Sequence, residues 1–183
     1  MIALLLSFLI GALPFAVWLS RLAGVDPRRD GSGNPGATNV HRLAGPLWGG
    51  AVLLLDAGKG ALAVALFSEQ TVWVGLAVVC GHLFSPLLRF RGGKGVATSA
   101  GVALYAAPIA ASIGLAGFVL VYLVGRRVAA ASLLAWALFV GWLIWRGPEL
   151  WLPPAVAIGL ALLWSHRHNL RRMRDGTEPP TPL

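Results

Sequence analysis

Charge is what this chain has least of. Only 12% of its 183 residues are Asp, Glu, Lys or Arg, against about 25% in a soluble domain. Its lysines are Lys59 and Lys94 alone. The single cysteine, Cys80, lies inside an apolar run. That excludes a disulfide framework and a cysteine-based metal centre, and Cys80 reads as a small buried hydrophobe. The four histidines show neither H-x-E-x-x-H nor any Cys/His ligand spacing, so no metal and no cofactor is expected. A basic n-region is missing too, so the apolar run from Ile2 reads as a retained span, not a cleaved signal.

What is present is grease. The chain is 57% hydrophobic with a mean hydropathy of +0.73. This is the composition of an integral membrane protein, with one domain over 1–183 as the natural count. A net charge of +8 raises the question of nucleic acid. The Arg and Lys residues sit at the ends of apolar runs and in short loops, where they set topology and meet anionic headgroups or substrates. Nucleic acid is therefore not the expected partner; membrane lipids are.

The apolar runs cover 2–22, 46–67, 72–88, 99–125, 128–145 and 150–164, and a polar tail begins at Ser165. Basic residues mark the loops 24–45 and 89–98 and the tail 165–178, which the positive-inside rule places in the cytoplasm. With Arg126-Arg127 inside as well, the run 99–125 must cross twice or not at all, and two crossings are the expectation. Ala106-Ala107-Pro108 supplies the break, because proline does not sit inside a regular helix. The expectation is an all-α integral membrane protein of seven transmembrane helices, some short, with the N-terminus out and the C-terminus in. A competing arrangement keeps 99–123 as one span and puts the tail outside.

The chain is organised around residues 31–42, GSGNPGATNVHR. Glycine and asparagine allow positive φ and close backbone approach, so successive N–H groups of such a loop can form a nest for a phosphate. Gly31, Gly33 and Gly36, with Thr38 and Asn39, line this candidate seat, and Arg42 supplies a permanent fork-shaped charge. The glycines satisfy GxGxxG formally, but no strand precedes them, so a dinucleotide fingerprint is excluded. Gly92-Gly93-Lys94-Gly95 opens the fourth run, and a glycine-rich helix start with a lysine is a second anion site. It is not a Walker A motif, since Gly95 stands where Ser or Thr must be.

Asp56 and Lys59 are three apart inside an apolar run. They share a helix face and are functional candidates, because ionisable groups in a membrane span are costly. His82 closes the third run. In the tail, His166 and Asn169 at i and i+3 offer two polar groups on one face. His41 and His168 receive no role. The 31–42 loop, the Lys94 loop and the tail all open on one membrane face. Together they suggest a phosphorylated substrate met at the cytoplasmic surface and an apolar partner from the bilayer.

These residues resemble the bacterial acyl-phosphate-dependent glycerol-3-phosphate acyltransferases, the PlsY type. The likeness spans nearly the whole chain and rests on GSGNPGATNVHR (31–42), Asp56 with Lys59-Gly60, GHLF…FRGGKGVAT (81–98) and HRHNLRRMRDGTE (166–178). Two places depart from the family pattern: Asp26-Pro27-Arg28 where Asp-Ile-Arg is usual, and Ser85 where proline is usual. The resemblance implies transfer of an acyl group from acyl phosphate to the sn-1 hydroxyl of glycerol 3-phosphate, by a monomer in the bacterial inner membrane. It further implies that Ser32 and Asn34 stabilise a developing oxyanion or departing phosphate, and that Arg42, Lys94, His166 and Asn169 hold phosphates. Ser132, near the cytoplasmic end of its helix, is an additional contact. The base is left open among His82, His166, Asp56 and a substrate phosphate. Two other readings stand beside this one. A small transporter for an anionic metabolite would need a midplane site. An acyl-CoA-dependent acyltransferase would need H-x4-D, which none of the four histidines provides.

Overall fold

The computed structural model describes residues 1–70, 72–146 and 150–181. Among them the chain is helix and loop throughout. The helices are α1 (Ile2–Ala12), α2 (Phe15–Leu22), α3 (Ala37–Ala44), α4 (Pro46–Phe67), α5 (Val74–Leu83), α6 (Val96–Ala106), α7 (Pro108–Gly125), α8 (Val128–Arg146), α9 (Leu152–Ser165) and α10 (Arg167–Arg174), with a 3-10 turn at Pro86–Leu88. Four described stretches are long and apolar enough to cross a bilayer: Ile2–Leu22, Pro46–Phe67, Pro108–Gly125 and Val128–Arg146. Shorter apolar helical stretches cover Val74–Leu88, Val96–Ala106 and Leu152–Ser165. The chain divides into two compact units, Met1–Val102 and Ala103–Leu183.

In the first unit, helices approach closely where side chains vanish. A Cβ on Gly11 would overlap the Val78 carbonyl, and one on Gly81 the Phe8 carbonyl, so α1 and α5 meet backbone to backbone. Gly60 against Thr98 and Gly101 against Ala57 do the same for α4 and α6. Small residues at crossings are how membrane helices gain packing that lipid tails cannot drive.

Two local findings differ from the expected layout. The first run is not one straight helix. Pro14 has no N–H to donate and pushes Leu13 into extended backbone (φ −61°, ψ 119°), so α1 stops at Ala12 and α2 starts at Phe15. The carbonyls of Ala12 and Leu13 are left without helical partners. Secondly, the stretch expected as loop over 24–45 contains α3. After Gly36, in extended conformation (φ −151°, ψ 165°), eight residues free of Gly and Pro form a helix. Val40, fully buried, packs with Ala16 and Val52. Burying that face is what makes so short a helix hold.

In the second unit, Gly114 of α7 lies against the Ala135 carbonyl of α8. The Trp136 indole of α8 donates to the Ala155 carbonyl of α9 at 3.0 Å and packs on Phe139 at 4.9 Å between ring centroids. The expected break does occur: α6 ends at Ala106, Ala107 leaves the helical region (φ −151°, ψ 77°), and Pro108 opens α7. The tail after α10 returns to this unit, and the Thr181 amide donates to the Arg126 carbonyl at 2.7 Å.

Candidate active site

Near the α1 break lies a small cleft lined by Leu13, Pro14, Pro35, Asp56, His82 and Gly93, among others. Its floor is built from the orphaned carbonyls. Lys59 Nζ donates to the Leu13 carbonyl at 2.9 Å and lies 2.7 Å from Asp56 Oδ1. The latter approach is an ion pair off the hydrogen-bonding angle. The ammonium also stands 5.6 Å from the centre of the Phe15 ring. An ammonium has three hydrogens, and here a carbonyl, a carboxylate and a ring face surround it. Both side chains are 3% exposed. Ser85 closes the second orphan, its hydroxyl donating to the Ala12 carbonyl at 2.6 Å. His82, in the last turn of α5, brings Nδ1 to 3.6 Å from Asp56 Oδ1, an electrostatic approach too long for a hydrogen bond.

The two glycine-rich loops meet this cleft. In the first, the Asn39 side chain works as a staple: Oδ1 accepts from the Ser32 amide at 3.0 Å, and Nδ2 donates to the carbonyls of Pro27 (3.0 Å) and Asp30 (3.1 Å). Gly31 has φ +63°, and a Cβ there would overlap Asn39 Oδ1, so only glycine serves. The loop presents Ser32 in the open and Asn34 half-buried, and α3 carries Thr38 and Arg42, both half-buried. Asp26 and Arg28 brace its start through a two-pronged pair at 2.8 and 2.6 Å. The Arg28 guanidinium holds the Asp26 carboxyl down at about 2. The pair spans Pro27, so the departure from the family pattern leaves this bracing in place.

The second loop lies on the end of α5. The Gly92 amide donates to the Leu83 carbonyl at 3.0 Å, and a Cβ on Gly92 would overlap the His82 carbonyl. A Cβ on Gly93 would overlap His82 Nε2 and stand 2.9 Å from the Pro35 carbonyl. Gly95, at φ +84°, turns the chain into α6, with Lys94 half-buried beside it.

In the second unit, the His166 ring is 2% exposed, and its Nδ1 lies 2.9 Å from the Leu162 carbonyl. A carbonyl only accepts, so Nδ1 carries the proton and the ring's other chemistry falls to Nε2. Asn169 donates to Glu178 at 2.6 Å, and Glu178 accepts from Arg172 at 2.7 Å. The Ser132 hydroxyl donates back to the Val128 carbonyl at 2.7 Å.

The Asp56–Lys59 pair and His82, read from two separate motifs, thus form one buried cluster, with Gly93 against its histidine. Asp56 and Lys59 face each other and the α1 break. The contributions of Pro14 and Ser85 were missed; the proline inside an apolar run was the available signal.

A family model described as glycerol-3-phosphate acyltransferase matches residues 1–176. The glycerol-3-phosphate acyltransferase of Pseudomonas aeruginosa (strain LESB58) is 45% identical over 181 residues, 95% of each chain. That of Azotobacter vinelandii (strain DJ / ATCC BAA-1303) is 43% identical, again over 95% of each. Among solved structures, PlsY (YgiH), an integral membrane glycerol 3-phosphate acyltransferase, is similar in two forms. Its glycerol 3-phosphate form has a TM-score of 0.91 at 35% identity, covering 99% of this chain and 94% of that one. Its lysophosphatidic acid form has a TM-score of 0.88 at 34% identity, covering 98% and 93%.

Proposed function

This chain belongs to the glycerol-3-phosphate acyltransferase family, and on that premise we propose that it moves a fatty acyl group from an acyl phosphate to the sn-1 hydroxyl of glycerol 3-phosphate. The hydroxyl oxygen attacks the acyl carbon, the bond from that carbon to the phosphate oxygen breaks, and the hydroxyl proton ends on the departing inorganic phosphate, leaving 1-acyl-glycerol 3-phosphate (lysophosphatidic acid) as product. An acyl phosphate is a mixed anhydride and needs no further activation. The task left to the protein is to hold two anions close together, and such positioning supplies about 7–11 kcal/mol of barrier reduction.

The observation that carries this reading is the meeting of Pro35 and Gly93 beside His82, which puts both glycine-rich loops at one cleft. Each loop offers backbone N–H groups and one cation, Arg42 or Lys94. Ser32 and Asn34 serve in this reading as donors to the developing oxyanion. His166 and Asn169 contribute phosphate contacts, with Ser132 an auxiliary. The similarity to PlsY in its glycerol 3-phosphate form supports the acceptor.

The protein sits in the bacterial inner membrane as a monomer with seven spans, N-terminus out, C-terminus in, and chemistry on the cytoplasmic side. Four long and three shorter apolar helical stretches support that count, and the basic loops support the orientation. The test is purified protein in nanodiscs with glycerol 3-phosphate and either palmitoyl phosphate or palmitoyl-CoA. Phosphate release and lysophosphatidic acid from the first alone is the expected outcome. Turnover only with palmitoyl-CoA removes the donor assignment, and glycerol 3-phosphate uptake into vesicles without acylation removes the enzyme assignment.

A further inference from the structure

His82 is 8% exposed and held from both sides. Behind it stands a relay of buried groups: the Leu13 carbonyl, Lys59 Nζ at 2.9 Å from it, Asp56 Oδ1 at 2.7 Å from Lys59, and His82 Nδ1 at 3.6 Å from Asp56. The relay ties the α1 break to α4 and α5. In front, the ring occupies the place where a Gly93 side chain would stand, with the Pro35 carbonyl oxygen 2.9 Å from the same point. The backbone beneath is fixed as well, since Gly92 lies on the His82 carbonyl and donates to Leu83 at 3.0 Å. The imidazole therefore backs the point at which the two glycine-rich loops approach each other directly.

We propose that His82 is a positioning residue: braced by Asp56 and Lys59, its ring fixes where Gly93 meets the Pro35 carbonyl, and with it the distance between the two phosphates. This rests on the reading above, in which those loops seat the phosphates. His82 acts through the loops and not by taking the hydroxyl proton. Lys59, surrounded by its three partners, serves this frame and not the substrate.

A four-membered cycle tests the assignment: wild type, His82→Ala, Gly93→Ala and the double variant, each assayed for KM and kcat with glycerol 3-phosphate and palmitoyl phosphate. A methyl at Gly93 runs into the ring and spreads the loops, and a displacement of about 1 Å costs on the order of 10²-fold in kcat/KM. His82→Ala should lose about 10-fold, mostly as a raised KM for glycerol 3-phosphate, because the loops lose their backing but keep their donors. The double variant should recover part of the Gly93→Ala loss, since the overlap with the ring is gone and only the 2.9 Å approach to the Pro35 carbonyl remains, and the losses are non-additive as expected for groups in contact. Independent losses that multiply in the double variant would overturn the proposal. So would a His82→Ala enzyme that loses about 10²–10⁴-fold in kcat with KM unchanged, the signature of a proton-transfer group. Thermal unfolding of each variant checks the fold, and His82→Gln, which keeps an amide at the reach of Nε2, replaces alanine in the cycle if His82→Ala does not fold. Absence of wild-type turnover counts against the functional reading, whereas the cycle bears on His82 alone.

Discussion

In the proposed reaction Lys94 and Arg42 bear most on the chemistry, Lys94 in the second glycine-rich loop and Arg42 on α3 just after the first. Replacing either by alanine should lower kcat/KM at least about 10²-fold, the scale of losing one preorganised charge at a developing oxyanion, without changing thermal unfolding. Near-wild-type turnover in either variant removes that residue from the site. Asp26 offers a test by pH. The Arg28 hydrogen bonds hold its carboxyl at about 2, below the ordinary 3.8. A depressed carboxyl stabilises the fold fully above pH 3.8, and that contribution fades as pH falls toward 2. The pair is open to solvent, so the effect is small, but the titration itself is readable. Arg28→Met should return Asp26 toward 3.8 in a carbon-13 NMR titration; an unmoved value would show that Arg28 is not the cause. How much of this was legible varied by residue. The three-residue spacing of Asp56 and Lys59 announced a pair, and the structure contains it. That Lys59 spends its remaining hydrogens on the α1 break was not legible, because Leu13 lies 46 positions away.

Helix crossings decide how firmly the cleft is held. At Gly101 any side chain meets the Ala57 carbonyl, which belongs to backbone and cannot swing aside. Gly101→Val should therefore cost about 1–3 kcal/mol by overpacking, read as a lower unfolding temperature in detergent. An unchanged melting temperature would mean that α4 and α6 do not approach as described. The turn that launches the second glycine loop behaves oppositely. Arg89 (φ 53°) and Phe90 (φ 61°) are consecutive non-glycine residues in left-handed backbone. Both are exposed, and the Phe90 amide donates to the Ser85 carbonyl at 2.9 Å. Each such residue costs about 1–2 kcal/mol. Changing the pair to Asn-Gly, the residues such a turn favours, should raise the unfolding temperature by several degrees. A drop would show that these side chains contribute more than the strain removes. At this scale Pro46, Pro108 and the glycines marked boundaries well. The α3 helix escaped because its propensity is weak and its stability comes from burying Val40 against Ala16 and Val52.

Across the whole molecule, orientation is the property that single residues cannot report. In a Cys80→Ala background, single cysteines at Ser32, Lys94 and the exposed His168 should all react with a membrane-impermeant maleimide only in inverted inner-membrane vesicles. Labelling of any of them from the periplasmic side would break the shared cytoplasmic face. What the sequence determined by itself was the class of molecule and its punctuation. Low charge and long apolar runs demand a bilayer, and glycines with a proline mark where backbone must turn or approach, because those constraints are local to a few consecutive residues. Only the tertiary structure decided what the buried polar groups do. Proline at position 14 orphans two carbonyls, and the partners that satisfy them, Lys59 and Ser85, come from 46 and 73 residues further along the chain. A buried polar group must find a partner wherever folding puts one, and that is set by three-dimensional proximity, which no spacing in the chain records.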